Sequence, residues 1–287
     1  MPETVYYDAA LGVVHNLDPV LFSLGSLQIR YYGVIFALSL LAAFYLWQWQ
    51  MRRGNYPQKT IDAIIVYGVV GTIVGARLGH CLFYEWDVYR ADPWRIWYFW
   101  EGGLASHGAA AGILLALGVY AWRYRLNYWE MTDRFTFSAA IAAAGVRVGN
   151  FFNSEIVGRI TDFAGGVRFV RYDLGALPPA AREAVDAPLR HPSQIYEFLM
   201  ALAILACLYF ADRWAGGEKR PRGMLLGLFF GLYFAARFSV EFFKEYQTDL
   251  RAAQGLTMGQ YLSIVPCLLG WALFAIAWRR RNTEIKN

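Results

Sequence analysis

The stretch Phe135–Arg159, FTFSAAIAAAGVRVGNFFNSEIVGR, decides how the chain is read. Ten residues built from Ala, Phe, Ile and small hydroxyls are followed by an arginine, two asparagines and a glutamate. A bilayer core takes about 20 residues of helix, so the polar residues fall near one end of a membrane crossing. An ionisable group at mid-bilayer costs about 2.5–3.5 kcal/mol on insertion scales. Residues placed at that cost need a partner or a task.

The rest of the chain supports a membrane setting. Of 287 residues, 57% are hydrophobic and only 17% charged, less charge than a soluble domain of this length carries. The apolar residues fall into seven runs, at 31–50, 61–83, 102–122, 134–152, 194–212, 224–243 and 258–278. Each is too long for a strand and lacks the two-residue alternation of an outer-membrane barrel. The expected fold is an all-α polytopic membrane protein of seven transmembrane helices, a single integral membrane domain over residues 1–287. Met1 to Pro19 shows no basic segment followed by an apolar one, so the first span is expected to direct insertion. Residues 1–30 are expected to form an extracytoplasmic arm. Within it VLFSLGSLQIRYY (Val20–Tyr32) alternates about Gly25-Ser26 as a short hairpin does. Residues 153–193 are expected as an extracytoplasmic insertion between the fourth and fifth spans, too short for an independent domain. Cys81, Cys207 and Cys267 form no CxxC pair and read as small apolar residues.

Basic residues set the orientation. Arg52, Arg53 and Lys59, then Arg123, Arg125 and Arg134, then Arg213, Lys219, Arg220 and Arg222, and finally Arg279, Arg280, Arg281 and Lys286 lie close against the spans. Those of the other set, such as Arg159, Arg168, Arg171 and Arg190, are diluted over longer stretches. The positive-inside rule puts the dense set in the cytoplasm, the N-terminus outside and the C-terminus inside. The net charge of +5 therefore reads as topology, with no nucleic-acid partner. In this orientation the intramembrane polar residues gather toward the outer ends: Arg147, Arg237 with Glu241, Arg77 with His80, Tyr31 and Tyr32, the RHPSQIYE segment (Arg190–Glu197), and His107, placed about 7–8 Å below the start of its span at 1.5 Å per residue.

Each has an ordinary alternative. Arg237 and Glu241 at i, i+4 could form a plain internal ion pair. Arg77 beside Gly71, Gly75 and Gly79 could snorkel from a helix-packing ridge. His107 and His80 could be satisfied polar residues, and His191 before Pro192 a span-start residue. Arg147 has Asn150 at i+3 and only Glu155 as a nearby acid. Two arginines in one layer suit a phosphate, which a guanidinium grips with two bonds, and a histidine can take a proton near neutrality. The set points to an enzyme acting on an anionic phospholipid. There is no metal-ligand spacing, no cofactor motif and no serine-hydrolase set, so neither metal nor cofactor is expected.

These residues also carry a family pattern. Arg147, Asn150, Phe151, Asn153, Glu155, Gly158 and Arg159 match a signature G-R-x-x-N-F-x-N-x-E-x-x-G-R, and Trp100 to Gly108, HPSQIYE (His191–Glu197), RFSVEFFKE (Arg237–Glu245), GLTMGQYLSI (Gly255–Ile264) and Arg30 to Gly33 match further blocks in order. The chain resembles the bacterial prolipoprotein diacylglyceryl transferases over most of its length. Val146 and Ala109 stand where that pattern has glycine, changes that could narrow a lipid-facing groove. The resemblance implies transfer of the diacylglyceryl group of phosphatidylglycerol to the lipobox cysteine of a preprolipoprotein signal peptide. The products are a thioether and glycerol 1-phosphate. The setting it implies is the bacterial cytoplasmic (inner) membrane, among membrane lipids, with the site toward the periplasm. We assign catalytic work to His107, Arg147 and Arg237, and substrate binding to Tyr32, Asn150, Glu155, Gly158, His191, Gln194, Tyr233 and Glu241. The rival reading is a carrier of a phosphate-containing anion or lipid. A carrier usually shows repeats and polar groups near the midplane, which are not evident here.

Overall fold

In a computed structural model, residues 4–8, 12–98, 102–177, 186–245 and 255–284 are described, without side chains for 106 and 281–284. Among them the apolar runs fold as helices: α1 (Tyr31–Arg53), α2 (Gln58–Phe83), the short α3 (Trp86–Ala91), α4 (Ser106–Arg123), α5 (Tyr128–Phe152), the short α6 (Val170–Leu174), α7 (Ser193–Trp214), α8 (Met224–Val240) and α9 (Met258–Glu284). Five are long and apolar enough to cross a membrane: α1, α2, α5, α7 and Met258–Arg280 of α9. α8 is apolar but has 17 residues, and α4 has 18. Leu38, Leu40 and Leu41 on α1, Ile65, Val66, Val69 and Val70 on α2, and Val265, Leu268 and Leu269 on α9 are exposed. Outward apolar faces of this extent suit hydrocarbon as the surrounding solvent.

The third apolar run begins later than its composition suggests. Gly102 and Gly103 have φ of +83° and +74°, a left-handed conformation that only glycine adopts freely, and helix starts at Ser106. His107 therefore sits in the first turn of α4, not several residues inside a span. Trp100 and Glu101 of the corresponding motif lie outside the described residues.

Two compact units are present. The first comprises Phe44–Phe135. Its core joins Trp47, Met51, Ile61, Ile64, Leu117, Tyr120 and Met131. Trp47 Nε1 donates to the Ile61 carbonyl at 3.0 Å and the Tyr120 hydroxyl to that of Thr60 at 2.8 Å, so both aromatic polar ends are satisfied inside. α2 and α4 touch backbone to backbone. A Cβ on Gly75 would lie 2.4 Å from the Gly108 carbonyl oxygen, and one on Gly112 2.1 Å from that of Gly71. The glycine ridge of α2 and the HGAAAG start of α4 are two sides of one small-residue contact. Arg134, read above as a loop charge, lies in α5, buried, with Nη2 2.9 Å from Glu130 Oε1.

The second unit comprises residues 1–43 and 136–287. Strands β1 (Val5–Asp8), β2 (Gly12–His15), β5 (Val167–Phe169) and β6 (Leu189–Arg190) form one sheet in that order, β2 and β5 parallel and the other pairs antiparallel. β3 (Val20–Leu24) and β4 (Leu27–Arg30) make a separate antiparallel hairpin turning at Gly25-Ser26 and running directly into α1. The described part of 153–193 thus supplies two strands and α6, packing Val170, Leu174 and Ala187 with Val14 of β2. Buried His15 stands edge-on to Phe151 at 4.6 Å and pairs through Nδ1 with Ser154 Oγ at 3.1 Å. Burial lowers its pKa to about 4, so the ring is neutral and acts as a packing polar residue. α8 and α9 pack through Gly227, Gly231 and Gly270, where an added Cβ would come within 2.7 Å of the facing helix.

Candidate active site

α5, α7 and α8 each bring one ionisable residue to a single point in the second unit. Glu197, in the second turn of α7, is the centre. Its Oε1 accepts a hydrogen bond from Arg237 Nη1 of α8 at 2.7 Å and lies 3.4 Å from Lys244 Nζ, while its Oε2 is 2.8 Å from Arg147 Nη1 of α5. The Arg147 contact is out of line for a hydrogen bond, and Oε2 has no aligned donor. A carboxylate near a helix N-terminus also sits at the positive end of the helix dipole. Arg147 and Arg237 border a small open hollow lined also by Ala143, Met200, Ala201, Ile204 and Tyr233. The lining is apolar except for the two guanidiniums, Glu197 and the Tyr233 hydroxyl, a few polar groups converging in an apolar pocket.

The expected Arg237–Glu241 pair exists but is the longer contact, 3.7 Å from Nη2 to Oε2. Glu241 also lies 3.9 Å from Lys244 Nζ. Its carboxylate rests where Gly259 has no side chain; a Cβ there would come within 2.6 Å of it. Glu155, read above as the acid beside Arg147, reaches it indirectly: it accepts from Asn150 Nδ2 at 3.4 Å, and Asn150 Oδ1 accepts from Arg147 Nη1 at 3.4 Å. The direct acid partner is Glu197, 50 positions along the chain. Lys244 and Glu197 stood in quoted motifs without a role. Nothing in the spacing of Arg147, Glu197 and Lys244 marks them as neighbours, since helix packing brings them together. Lys244 is almost wholly buried, and burial, only partly offset by Glu197, lowers its pKa to about 8.

The segment after α5 is held in a strained form. Ser154 and Ile156 have φ of +54° and +56°, which for a β-branched residue is a marked departure. Bonds from α7 fix it: Gln194 Nε2 donates to the Glu155 carbonyl and Ser193 Oγ to that of Ile156, each at 2.7 Å. Gly158 N donates to the His191 carbonyl at 2.9 Å and Arg159 N to that of Phe243 at 2.8 Å, and Gly158 bridges Lys244. Arg190 closes the bundle with Nη2 on Asp173 at 2.6 Å and Nη1 on Glu245 at 2.6 Å. The signature stretch is thus a buckle between 189–191 and 243–245, and it sets where Lys244 points. His191 meets Tyr196 through Nδ1 at 3.1 Å, with burial lowering its pKa. The Tyr32 ring covers Gly149, where a Cβ would come within 2.7 Å of it.

Two expected residues belong to the unit of 44–135. His107 is exposed in the first turn of α4. Arg77 is 1% exposed. Its guanidinium donates to the carbonyls of Ile96 (2.9 Å), Arg95 (2.6 Å), Tyr98 (3.1 Å) and Gly102. It tethers the loop ahead of α4, which fits the structural reading.

A sequence profile described as prolipoprotein diacylglyceryl transferase matches residues 19–276. A phosphatidylglycerol–prolipoprotein diacylglyceryl transferase of Chloroherpeton thalassium is 40% identical over 279 residues, covering 96% of this chain and 98% of its own. One of the same name from Tolumonas auensis is 38% identical, covering 93% and 98%. A third, from Mannheimia succiniciproducens, is 35% identical, covering 95% and 97%.

Proposed function

The chain belongs to the prolipoprotein diacylglyceryl transferase family, and we propose that it moves the diacylglyceryl group of phosphatidylglycerol onto the cysteine thiol of a prolipoprotein. In this reaction the sulfur forms a bond to the glycerol carbon that carries the phosphate. The carbon–oxygen bond breaks, glycerol 1-phosphate leaves with the electron pair, and the thiol proton passes to a base. The observation that carries the reading onto this site is the pair of guanidiniums, Arg147 and Arg237, held 2.8 and 2.7 Å from one carboxylate at the edge of an apolar hollow. Three cations face two carboxylates there, leaving a net positive charge for an anionic headgroup. As the bond breaks, the phosphate changes from a diester monoanion to a monoester dianion. Fixed guanidiniums stabilise the added charge, a kind of term worth about 10²–10³ in rate per donor. Asn150, Glu155 and Gly158 shape the clamp, Tyr32, Tyr233 and Glu241 line or support the lipid head, and His191 and Gln194 hold the signature segment in place.

Purified protein given phosphatidylglycerol and a lipobox peptide is expected to yield the thioether peptide with one glycerol 1-phosphate per turnover. Passage of phosphate-containing lipid or anion without peptide modification would instead establish a carrier.

The reading includes seven spans in the bacterial inner membrane, N-terminus outside and C-terminus in the cytoplasm, with the site toward the periplasm. It is supported by the positive charges grouped at one set of helix ends. A reporter fused after Asn287 is expected to be active only if it matures in the cytoplasm; export of the fusion would reverse the orientation.

His107 is the proposed acceptor of the thiol proton. His107→Gln keeps the hydrogen-bonding capacity but cannot take a proton, so it is expected to lose at least about 10²-fold in rate. Full rate in His107→Gln would leave the residue a headgroup ligand.

A further inference from the structure

We propose that Glu197 is the positioning residue of the phosphate clamp, an internal carboxylate that holds the two guanidiniums in register while leaving their outer donor edges for the substrate. The inference rests on the transferase reading above and assigns a residue that the sequence patterns left without a role. Glu197 touches Arg147, Arg237 and Lys244 at 2.8, 2.7 and 3.4 Å, so α5 and the end of α8 with the turn after it share one anion on α7. Its oxygens divide the work. Oε1 takes the aligned bond from Arg237, and Oε2 faces Arg147 by charge alone, out of hydrogen-bonding line. The Arg147 Nη1 N–H is therefore not aimed at Glu197 but makes a long bond to Asn150 Oδ1 at 3.4 Å, so a phosphate can engage the guanidinium without breaking an aligned bond to Glu197.

Lys244 completes the arrangement. Its ammonium lies between Glu197 and Glu241, carried by the backbone bridge to Gly158, and is too buried to reach substrate from where it stands. It balances the two carboxylates from behind, so that the clamp keeps one net positive charge with its guanidiniums at fixed spacing. With the Glu197 charge removed, Arg147, Arg237 and Lys244 would repel one another with only Glu241 opposed to them. A headgroup monoanion would still be drawn to the more positive cluster, and ground-state binding would persist. The departing phosphate needs both guanidiniums correctly placed as it gains its second charge, and an error near 1 Å in such a site can cost about 10²-fold. The loss should therefore fall on the transition state and not on the bound substrate.

The test is steady-state transfer by the full chain in mixed micelles, with the phosphatidylglycerol fraction varied at saturating lipobox peptide. Glu197→Gln is expected to lower kcat about 10²-fold with KM for phosphatidylglycerol unchanged within about twofold or reduced. The double variant Glu197→Gln with Lys244→Met restores the wild-type sum of charges and is expected to stay as slow, because the bridge is still missing. Glu197→Asp keeps the charge but is one methylene too short to span both arginines; it decides the matter if the glutamine variant does not fold, and is expected to lose about tenfold in kcat at constant KM. A wild-type kcat in Glu197→Gln or Glu197→Asp, a loss confined to KM, or recovery in the double variant would each overturn the assignment. Wild-type protein without any transfer would instead defeat the transferase reading itself, so the two failures are distinguishable.

Discussion

Arg147→Lys is expected to insert and fold yet lose about 10³-fold in peptide lipidation, at the upper end of what removing one preorganised donor costs. The substitution keeps a positive charge, so any role as a simple counter-ion would survive it. What it removes is the planar fork. In the structure one Nη of Arg147 faces Glu197 Oε2 at 2.8 Å and Asn150 Oδ1 at 3.4 Å, leaving the rest of the guanidinium for a ligand. A lysine has one nitrogen, and that nitrogen can satisfy Glu197 or a phosphate oxygen but not both with bidentate geometry. A more strongly hydrated ammonium also makes a poorer partner in an apolar hollow. Folding should be spared because Glu197 keeps Arg237 and Lys244 as partners, unlike the case in which a buried carboxylate loses every cation, which costs about 3–5 kcal/mol. The measurement is turnover at saturating phosphatidylglycerol, beside a gel-filtration profile and melting curve matching wild type. Turnover within about threefold of wild type would reduce Arg147 to a charge in the scaffold and remove the main support for a phosphate clamp.

What could be read from the chain alone follows from the length scale of each feature. Hydrophobic runs report local burial, and all seven contain helix, because backbone groups in an apolar setting must be satisfied within the segment. The glycine ridge of α2 was legible for the same reason, small residues at i, i+4 spacing lying on one face. Where the third run begins was not, because hydropathy does not register that Gly102 and Gly103 turn left-handed. Arg147, Asn150, Arg237 and Glu241 stood out as costly polar groups in apolar surroundings, and the structure gathers the two arginines on Glu197. Glu197 did not stand out. It lies near the polar start of a span, inside a block rich in other polar residues, so its presence carried no visible cost. Its importance comes from packing of α5, α7 and α8, a tertiary fact that no local pattern encodes. Glu155, the nearest acid in sequence, therefore looked like the partner of Arg147, and proximity along the chain was the wrong measure of proximity in space. Lys244 was hidden likewise, since a lysine just past a helix end ordinarily reads as a solvated interfacial charge, whereas here the strand-like contact with Gly158 turns it inward.

That contact makes Gly158→Ala a severe change for the site. The backbone at Gly158 does not have a positive φ, so the need for glycine is one of space. An added Cβ would lie 2.3 Å from the His191 carbonyl oxygen, 2.6 Å from the His191 Cβ and 2.7 Å from the Phe243 carbonyl oxygen. These are backbone atoms and a first side-chain carbon, with no flexible end to swing aside. One of the flanking segments has to move, and each is tied to the site. Displacing 243–245 breaks the Arg159 N bond to Phe243 and the Glu245 N bond to Val157 at 3.1 Å, and carries Lys244 away from Glu197. Displacing 190–191 pulls on Arg190, which donates to the Gly158 carbonyl at 3.1 Å while holding Asp173 and Glu245, and on the start of α7, where Ser193 and Gln194 bind the carbonyls of Ile156 and Glu155. Overpacking of this kind costs about 1–3 kcal/mol where side chains can adjust and more where backbone must, so a loss of about 3 kcal/mol or more is expected. Turnover should drop below about one part in 10³, since the clamp depends on the same segments. Gly68→Ala is the control: a Cβ there meets nothing within 4 Å, and a change within about 0.5 kcal/mol is expected. The melting temperature and the lipidation rate should therefore fall together in Gly158→Ala and stay together at wild-type values in Gly68→Ala. If Gly158→Ala keeps both, the three segments do not pack as described, and Lys244 is not held against Glu197 by this buckle.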